Sequence, residues 1–335
     1  MNVSSTPDAP WQPLARRAAV IAAIPGLVFL VGAGIIAWSW RPALPARVAV
    51  HWGIDGRPNQ YASLTVFAIL LLAIGVVAVV GQAVMVARWG SATGVRRFTT
   101  GTAVWLGAFI ATLFVGSLAG QRHLAEASMA TFPAWLLPAA IIGPLVPAVV
   151  AALLAPADLP QPATAAMPAH VRQWELGPSE RAVWIERTTS GPMMIVLVGV
   201  AVLATGFALI THVWFILALP VLLIIVSAAM AQFTVRVDAT GLSVRSALGW
   251  PHTVIPAGEV DHADVVAVNP ITEFGGLGWR AGRDGRVGVV LRRGPGLEVA
   301  RTGGRRFVVT VADAAVGAAL LNTYAARDRS TPPAT

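Results

Sequence analysis

The residues best suited to bind a ligand lie in one polar stretch, residues 44–61, between two long apolar segments. It contains a histidine followed by a tryptophan, His51 and Trp52, and its glycines at positions 53 and 56 permit tight turns. Two interpretations stay open. The stretch is a structured loop that seals the ends of two helices, or it is a recognition surface for an extracellular ligand.

Metal binding and enzyme chemistry have little support in the sequence. His51, His123 and His212 fall in predicted exterior loops with Asp55 and Glu126 nearby, but no HExxH spacing accompanies them. The chain has no cysteine, which excludes disulfides and thiolate metal sites. It also has no GxSxG motif and no phosphate-binding loop. We therefore expect no enzymatic activity, no cofactor and no metal.

Composition indicates a membrane protein. The chain has 335 residues, of which 56% are hydrophobic and 12% charged, whereas soluble proteins have about 25% charged residues. A helix needs about 20 apolar residues to cross a bilayer. Uncharged apolar segments of about this length predict six spans, at residues 18–40, 63–86, 99–119, 134–155, 193–210 and 213–231.

The placement of arginines predicts the orientation of these spans. Cytoplasmic loops are enriched in basic residues, and we assign five arginines to that side: Arg16, Arg17, Arg88, Arg96 and Arg97. Three others oppose this assignment because they lie in the first exterior loop: Arg41, Arg47 and Arg57. The prediction is a multi-pass protein of a bacterial cytoplasmic (inner) membrane, with both termini in the cytoplasm.

After the sixth span the hydrophobic pattern changes to a period of two, which is typical of β-strands. Residues 233–237 and 242–246 alternate on either side of a turn, which predicts a hairpin. Further strands are expected at residues 253–255, 260–268, 286–291, 297–301 and 307–311, and a helix at 314–326. The fold class is an α-helical polytopic membrane protein with a C-terminal small β-barrel or sandwich that this helix closes.

These patterns divide the chain into consecutive regions. We expect a cytoplasmic tail at residues 1–17, a four-helix transmembrane region at 18–155 with an exterior loop at 41–62, and a Pro/Ala-rich linker and juxtamembrane segment at 156–192. A transmembrane hairpin follows at 193–231, then a cytoplasmic β domain at 232–326 and a disordered tail at 327–335.

The exterior loop resembles a known membrane module, domain of unknown function 1648, which occurs in bacterial Sdp-type toxin-immunity proteins. The resemblance covers residues 18–86 and rests on the loop pattern of Leu-Pro, His-aromatic and Gly-x-Pro. It implies defence against a secreted peptide toxin, or sensing of one. The candidate recognition residues are Leu44, Pro45, His51, Trp52, Gly56, Pro58 and Tyr61.

The C-terminal half resembles bacterial pleckstrin-homology-like (PH-like) membrane proteins. The stretches that carry this resemblance are ERAVW at 180–184, TVRVDATGLSVRSALG at 234–249 and IPAGEV at 255–260. It implies a scaffold or interaction domain that contacts a cytoplasmic protein. Arginines on the domain are candidate contacts for anionic lipid, because each is worth about 1 kcal/mol near such a surface. They are Arg280, Arg283, Arg286, Arg292 and Arg293.

Together these patterns predict a non-enzymatic integral membrane protein that acts as a sensor, immunity or scaffold component. Its expected partners are membrane lipids, an extracellular peptide or envelope component, and a cytoplasmic protein, but no nucleic acid. The alternative is a membrane transporter or a lipid-interacting, membrane-organising protein. Prolines at 138, 144 and 147 support the transporter alternative, because interrupted helices mark many transporter sites.

Overall fold

The computed structural model describes residues 11–53, 55–158, 161–177, 179–211, 217–282 and 284–330. The chain divides into two compact units. We call Trp11–Asp158 the helical unit, and the residues from Leu159 onward the C-terminal unit.

Among its described residues, the helical unit has five α-helices and one β-hairpin. Its helices are α1 (Gln12–Ser39), α2 (Leu64–Trp89), α3 (Thr93–Ala119), α4 (Leu136–Ile142) and α5 (Leu145–Leu154). The hairpin, β1 (Val48–Trp52) and β2 (Pro58–Ala62), lies between α1 and α2. If α4 and α5 are counted together, this unit provides four helices that are long and apolar enough to cross a membrane. These helices identify a membrane-embedded protein.

The outer surfaces of these helices are apolar. Val28 is 63% exposed on α1, Val77 is 72% exposed on α2, and Val146 is 71% exposed on α5. By contrast, the residues that α1 buries are mostly small: Ala15, Ala18, Ala22, Gly26, Leu30, Ala33 and Ala37. Large apolar side chains outside and small ones between helices are typical of helices that pack within lipid.

Helix α3 is the centre of this unit, since it contacts α1, α2, α4 and α5. Two glycines set its distance from α1: a Cβ atom on Gly107 would lie 2.6 Å from the carbonyl oxygen of Gly26. Gly116 lies against α4, because a Cβ atom there would overlap the end of the Leu136 side chain. The small residues of α3 therefore contact neighbouring helices of the same chain.

The fourth apolar segment is interrupted, as its prolines predict. α4 ends at Ile142 and α5 begins at Leu145, with Pro144 between them. A proline has no N–H, so an interruption leaves carbonyl groups without helical partners. The indole Nε1 of Trp105 on α3 donates to the Ile141 carbonyl at 3.0 Å. The break is thus stabilised from the neighbouring helix.

A buried arginine joins the start of α3 to the segment that follows α5. Arg96 is fully buried, and its Nη2 lies 2.5 Å from Asp158 Oδ1. Its Nε donates to the Pro156 carbonyl at 2.9 Å and its Nη1 to the Gly90 carbonyl at 2.8 Å. The first residues of the predicted linker are therefore tied to the start of α3.

The C-terminal unit begins with irregular chain and contains two shorter apolar helices. These are α6 (Gly191–Thr211) and α7 (Ala218–Met230), whose apolar stretches Met194–Ile210 and Pro220–Met230 are shorter than those of the first four. The six-span count stays a prediction for this reason. His212, in the expected turn between them, lies outside the described residues.

Two β-sheets and a final helix make up the rest of this unit. The four-stranded antiparallel sheet has the order β3-β4-β5-β6, with β3 (Trp184–Thr189), β4 (Gln232–Asp238), β5 (Gly241–Ser246) and β6 (His252–Pro256). The five-stranded sheet has the order β7-β10-β11-β9-β8. Its elements, with one short helix, are β7 (Val260–Val268), α8 (Pro270–Phe274), β8 (Gly278–Ala281), β9 (Val287–Val290), β10 (Gly294–Arg301) and β11 (Arg305–Thr310).

The final helix, α9 (Ala314–Ser330), contacts strands of both sheets. Asn322 holds the edge strand β7, because its side chain accepts from the Ala263 amide at 2.7 Å and donates to the Ala263 carbonyl at 2.9 Å. The Tyr324 hydroxyl bonds the amide and the carbonyl of Ala182 at 2.8 and 2.7 Å. The helix extends past residue 326, where the sequence predicts a disordered tail.

The sequence predicted a helical membrane part followed by a β-rich region, and the structure confirms that order. Two strands described in the C-terminal unit were not foreseen. β3 lies in the predicted juxtamembrane segment, and β8 pairs with β9 after a run of glycines. One strand pair, β9 with β11, is parallel, and its partners are distant in sequence.

The glycine contact between α1 and α3 gives a direct test of the packing. We expect Gly107→Ala to destabilise the protein by about 1–3 kcal/mol, since the new methyl group would overlap the backbone of α1. Thermal unfolding in detergent, followed by size-exclusion chromatography, measures this loss. The control is Gly32→Ala, whose Cβ would meet no atom within 4 Å. Equal melting temperatures for the two variants would contradict the packing.

Candidate ligand-recognition hairpin

The β1–β2 hairpin is irregular, and its irregularity sets which side chains it exposes. The strands pair Val48 with Ala62 and Ala49 with Tyr61, and the register then shifts on both sides of His51. The turn is closed by the Gly53 amide, which donates to the Arg57 carbonyl at 2.9 Å. A bulge of this kind re-aims a side chain that regular alternation would direct elsewhere.

The inner face of the hairpin is part of the core of the helical unit. Val48 and Ala49 are fully buried. Val48 belongs to a cluster with Phe114 and Leu118 of α3, and Leu44 packs against the same cluster. Because apolar burial is worth about 25 cal/mol per Å², this contact opposes any movement of the hairpin away from the helices.

The side chain of Gln121 holds the hairpin by hydrogen bonds to the backbone of β1. Its side-chain oxygen accepts from the Ala49 amide at 2.7 Å, and its Nε2 donates to the Ala49 carbonyl at 3.0 Å. The same Nε2 also donates to the Ser117 carbonyl at 3.0 Å, which orients the amide on the end of α3. Gln121 is 1% exposed, so water does not compete for these bonds. The side chain takes the place of a neighbouring strand at the β1 edge.

The chain between α3 and α4 provides two further attachments. The Phe132 amide donates to the Gly56 carbonyl at 3.1 Å, and the Phe132 ring meets Trp52 edge to face at 5.4 Å. The His123 amide donates to the Ala43 carbonyl at 2.7 Å, and His123 adopts a positive φ of 63°. The hairpin is therefore held at its base, its middle and its tip.

The outer face presents polar groups. The exposed His51 Nδ1 lies 2.6 Å from Asn59 Oδ1, so the two side chains form one hydrogen-bonded pair across the strands. Arg57 and Gln60 are exposed beside them. Since the backbone beneath is fixed, this surface is presented to a ligand with little loss of conformational entropy on binding.

The structure separates the seven predicted recognition residues by role. His51 is exposed, whereas Trp52 packs on Phe132 and its buried Nε1 has no hydrogen-bond partner among the described residues.

The other five predicted residues shape or anchor the hairpin. Gly56 has a positive φ of 73° in the turn. The Tyr61 hydroxyl donates to the Pro58 carbonyl at 3.1 Å. Leu44 packs against the helices, and the half-buried Pro45 precedes the hairpin. Most of the set builds the hairpin, and His51 is available for contact.

Sequence reasoning missed two residues of this site, Asn59 and Gln121. Asn59 follows the Gly-x-Pro motif but matches no binding pattern of its own. Gln121 bonds a residue 72 positions away, and no local pattern predicts such a contact. The only local signal was a polar glutamine two residues past the end of α3.

The predicted lipid-contacting arginines do not share one environment. Arg286 is paired with Glu273, Asp284 and Glu298 at 2.5–3.0 Å. Burial lowers the pKa of Arg286, but hydrogen bonds to Glu298 and Glu273 outweigh it and raise the pKa above its usual range. Its charge is thus already balanced. Arg280 and Arg293 are exposed, Arg292 is half-buried, and Arg283 lies outside the described residues.

Two of the three histidines considered for metal binding, His51 and His123, lie within the described residues. Within the described part of the chain, no group of three or more His, Asp or Glu side chains is close enough to hold a metal ion. His123 is instead part of the loop that supports the hairpin.

Comparison with known proteins gives one match. The family model of a domain of unknown function, DUF1648, matches residues 27–76. This range contains about the second half of α1, the whole hairpin and the first half of α2. No curated protein matches the chain, and no solved structure does. The chain therefore contains this domain, and the match is confined to the segment that carries the hairpin.

Loss of the Gln121 amide should release the hairpin. Gln121→Leu leaves two buried backbone groups of Ala49 without partners, at about 1–3 kcal/mol for each group. We expect amide hydrogen exchange in residues 47–61 to become at least about tenfold faster, as mass spectrometry would measure. The control is Gln60→Leu, because Gln60 is exposed on the same hairpin. Unchanged exchange in Gln121→Leu would show that the amide does not fix the strand.

Proposed function

We propose that this protein is a non-enzymatic membrane receptor, with a sensor, immunity or scaffold role, that recognises a peptide or envelope component at the β1–β2 hairpin. The observation that carries the proposal is the contrast between the two hairpin faces. The inner face is buried against the helical unit and is held through Gln121, whereas the outer face displays His51 and Asn59. A loop that only sealed helix ends would not need a rigid, polar outer surface.

The placement of charge supports an orientation with the hairpin outside the cell. Arg16, Arg88 and Arg97 lie near the ends of α1, α2 and α3 that face away from the hairpin. Two arginines on the hairpin side are engaged locally, since Arg41 stacks on Trp38 at 4.8 Å and Arg47 donates to the Tyr61 carbonyl at 2.8 Å. Positive loops favour the cytoplasm, so we assign both termini there, in a bacterial inner membrane.

The number of membrane crossings assigns the β-rich region to the cytoplasmic side, the side of the N-terminus. A loop after the first span lies opposite the N-terminus, and chain that follows an even number of spans lies on the N-terminal side. This result holds for four spans and for six. We therefore propose that the hairpin meets exterior ligands and that the β-rich region, as a PH-like interaction domain, contacts a cytoplasmic protein.

The transporter alternative loses its main support. Its motivation was the interrupted fourth segment, because exposed backbone at a helix break often coordinates a solute. Here the Ile141 carbonyl already accepts from Trp105 at 3.0 Å. We attribute the break to the prolines of this segment, with Trp105 as its stabilising partner, and not to a substrate site.

Photo-cross-linking in the producing cells tests the receptor proposal. The variant His51→p-benzoylphenylalanine places the photoreactive group on the outer face of the hairpin. We expect a discrete peptide or protein adduct at this position after illumination. The matched control carries the same group in place of Val77, which is 72% exposed on an apolar helix face. Identical products at the two positions would contradict a recognition role for the hairpin.

A further inference from the structure

The four-stranded sheet begins where the two apolar helices of the C-terminal unit end. β3 ends at Thr189 and α6 begins at Gly191, while α7 ends at Met230 and β4 begins at Gln232. Thr189 pairs with Gln232, and the Ser190 amide donates to the Ala231 carbonyl at 2.8 Å. This end of the sheet therefore lies within one or two residues of the ends of α6 and α7. If α6 and α7 are inserted, those helix ends reach the hydrocarbon of the bilayer.

The turn between β5 and β6 lies at the same end of the sheet. Ser246 pairs with Phe233, and the Ala247 amide donates to the Gln232 carbonyl at 3.0 Å. Two large apolar side chains project from this turn: Leu248 is 57% exposed and Trp250 is 66% exposed. Tryptophan is enriched at the boundary between hydrocarbon and water. An exposed Trp and Leu beside apolar helix ends therefore match the headgroup layer of a bilayer.

A basic groove of about 490 Å³ opens on the outer face of this sheet. Three arginines line it, Arg187, Arg236 and Arg245, and none of the described residues that line it is acidic. The other lining residues are small or polar: Gln232, Thr234, Ser243, Ser246 and Ala247.

The strand register brings two of these arginines over one point. Arg187 on β3 and Arg245 on β5 both pair with Thr234 of β4. Two strand spacings separate their backbones by about 10 Å, a distance that two long guanidinium side chains can close around one anion. Like charges in one cross-strand row repel each other unless an anion lies between them. Such a pair of arginines indicates a site for a phosphate group.

The third arginine is partly balanced. Arg236 Nε donates to Asp238 Oδ2 at 2.7 Å. Burial raises the pKa of Asp238, but hydrogen bonds from Thr240 and Arg236 outweigh it, and the pKa lies below its usual value. Asp238 is therefore ionised at neutral pH and neutralises Arg236, which leaves Arg187 and Arg245 as the main anion-binding groups.

We infer that this groove binds the headgroup phosphate of anionic phospholipids in the leaflet next to α6 and α7. Charge complementarity and continuity with the apolar helices both favour lipid over a soluble anion. Arg187 and Arg245 hold the phosphate, and Leu248 and Trp250 enter the interface beside it. The inference rests on the six-span form of the proposed function, in which α6 and α7 are inserted in the membrane.

Titration of the detergent-solubilised full chain with short-chain phosphatidylglycerol tests the inference, with bound lipid counted by native mass spectrometry. We expect the double variant Arg187→Gln/Arg245→Gln to bind this lipid about ten- to thirtyfold more weakly than wild type. The control Arg172→Gln/Arg181→Gln removes the same charge from two other exposed positions of the C-terminal unit and should bind like wild type. Arg187→Lys/Arg245→Lys, which keeps the charge, should retain most of the affinity and shows that loss of binding is not misfolding.

Three results would overturn the inference. The first is equal lipid affinity in the wild type and the Arg187→Gln/Arg245→Gln variant. The second is an equal loss of affinity in the Arg172→Gln/Arg181→Gln control. The third is binding of inorganic phosphate or a phosphoserine peptide as tightly as the lipid, with the same dependence on Arg187 and Arg245, which would assign the groove to a soluble partner.

A separate measurement distinguishes failure of the groove from failure of the membrane assignment. A spin label on Leu203→Cys, at a position 74% exposed on α6, should collide with oxygen dissolved in lipid and not with an aqueous nickel chelate. A lipid-exposed label with arginine-independent binding overturns the groove alone. A water-exposed label overturns the insertion of α6 and α7, and the inference with it.

Discussion

The side-chain amide of Gln121 binds both polar groups of the Ala49 peptide where water has no access, and the presentation of the hairpin depends on this pair. A buried peptide group without partners costs more than a hydrogen bond normally contributes, so the strand cannot leave the helix end cheaply. Because the pair fixes β1 at one residue, it also fixes the side of the hairpin that faces outward. The C-terminal unit uses the same arrangement, in which Asn322 of α9 holds both polar groups of Ala263 on an edge strand. In each unit a side-chain carboxamide, just past the end of α3 or on α9, completes the hydrogen bonding of a strand edge.

The same requirement explains the irregular parts of the helical unit. Polar backbone within lipid must find partners inside the protein. At the break between α4 and α5 the partner is the indole of Trp105, and near the start of α3 the partners of Gly90 and Pro156 come from one guanidinium, that of Arg96. Arg96 is also neutralised by Asp158. The helix break at Pro144 and the buried charge of Arg96 thus have structural partners, whereas the exposed polar outer face of the hairpin has no comparable packing role.

Local patterns predicted the elements that depend on local interactions. Apolar length predicted α1 to α3, the prolines predicted the interrupted fourth segment, and alternation predicted β4, β5 and β7 close to their observed bounds. Contacts between distant residues were not accessible in this way. β3 was missed because it pairs with β4 across two intervening helices, and Gln121 was missed because its partner is 72 residues away. The basic groove was missed for the same reason, since the register of three strands brings Arg187 and Arg245 together.

The absence of native cysteine allows a direct test of the central claim, that the hairpin and the β-rich region lie on opposite sides of a membrane. Single variants Arg57→Cys, in the hairpin turn, and Ala239→Cys, in the β4–β5 turn, place one thiol at an exposed position in each region. Intact cells are treated with a membrane-impermeant maleimide, and labelling is compared before and after permeabilisation. We predict that position 57 is labelled in intact cells and that position 239 is labelled only after permeabilisation. Labelling of both positions in intact cells, or of position 239 alone, would contradict the account.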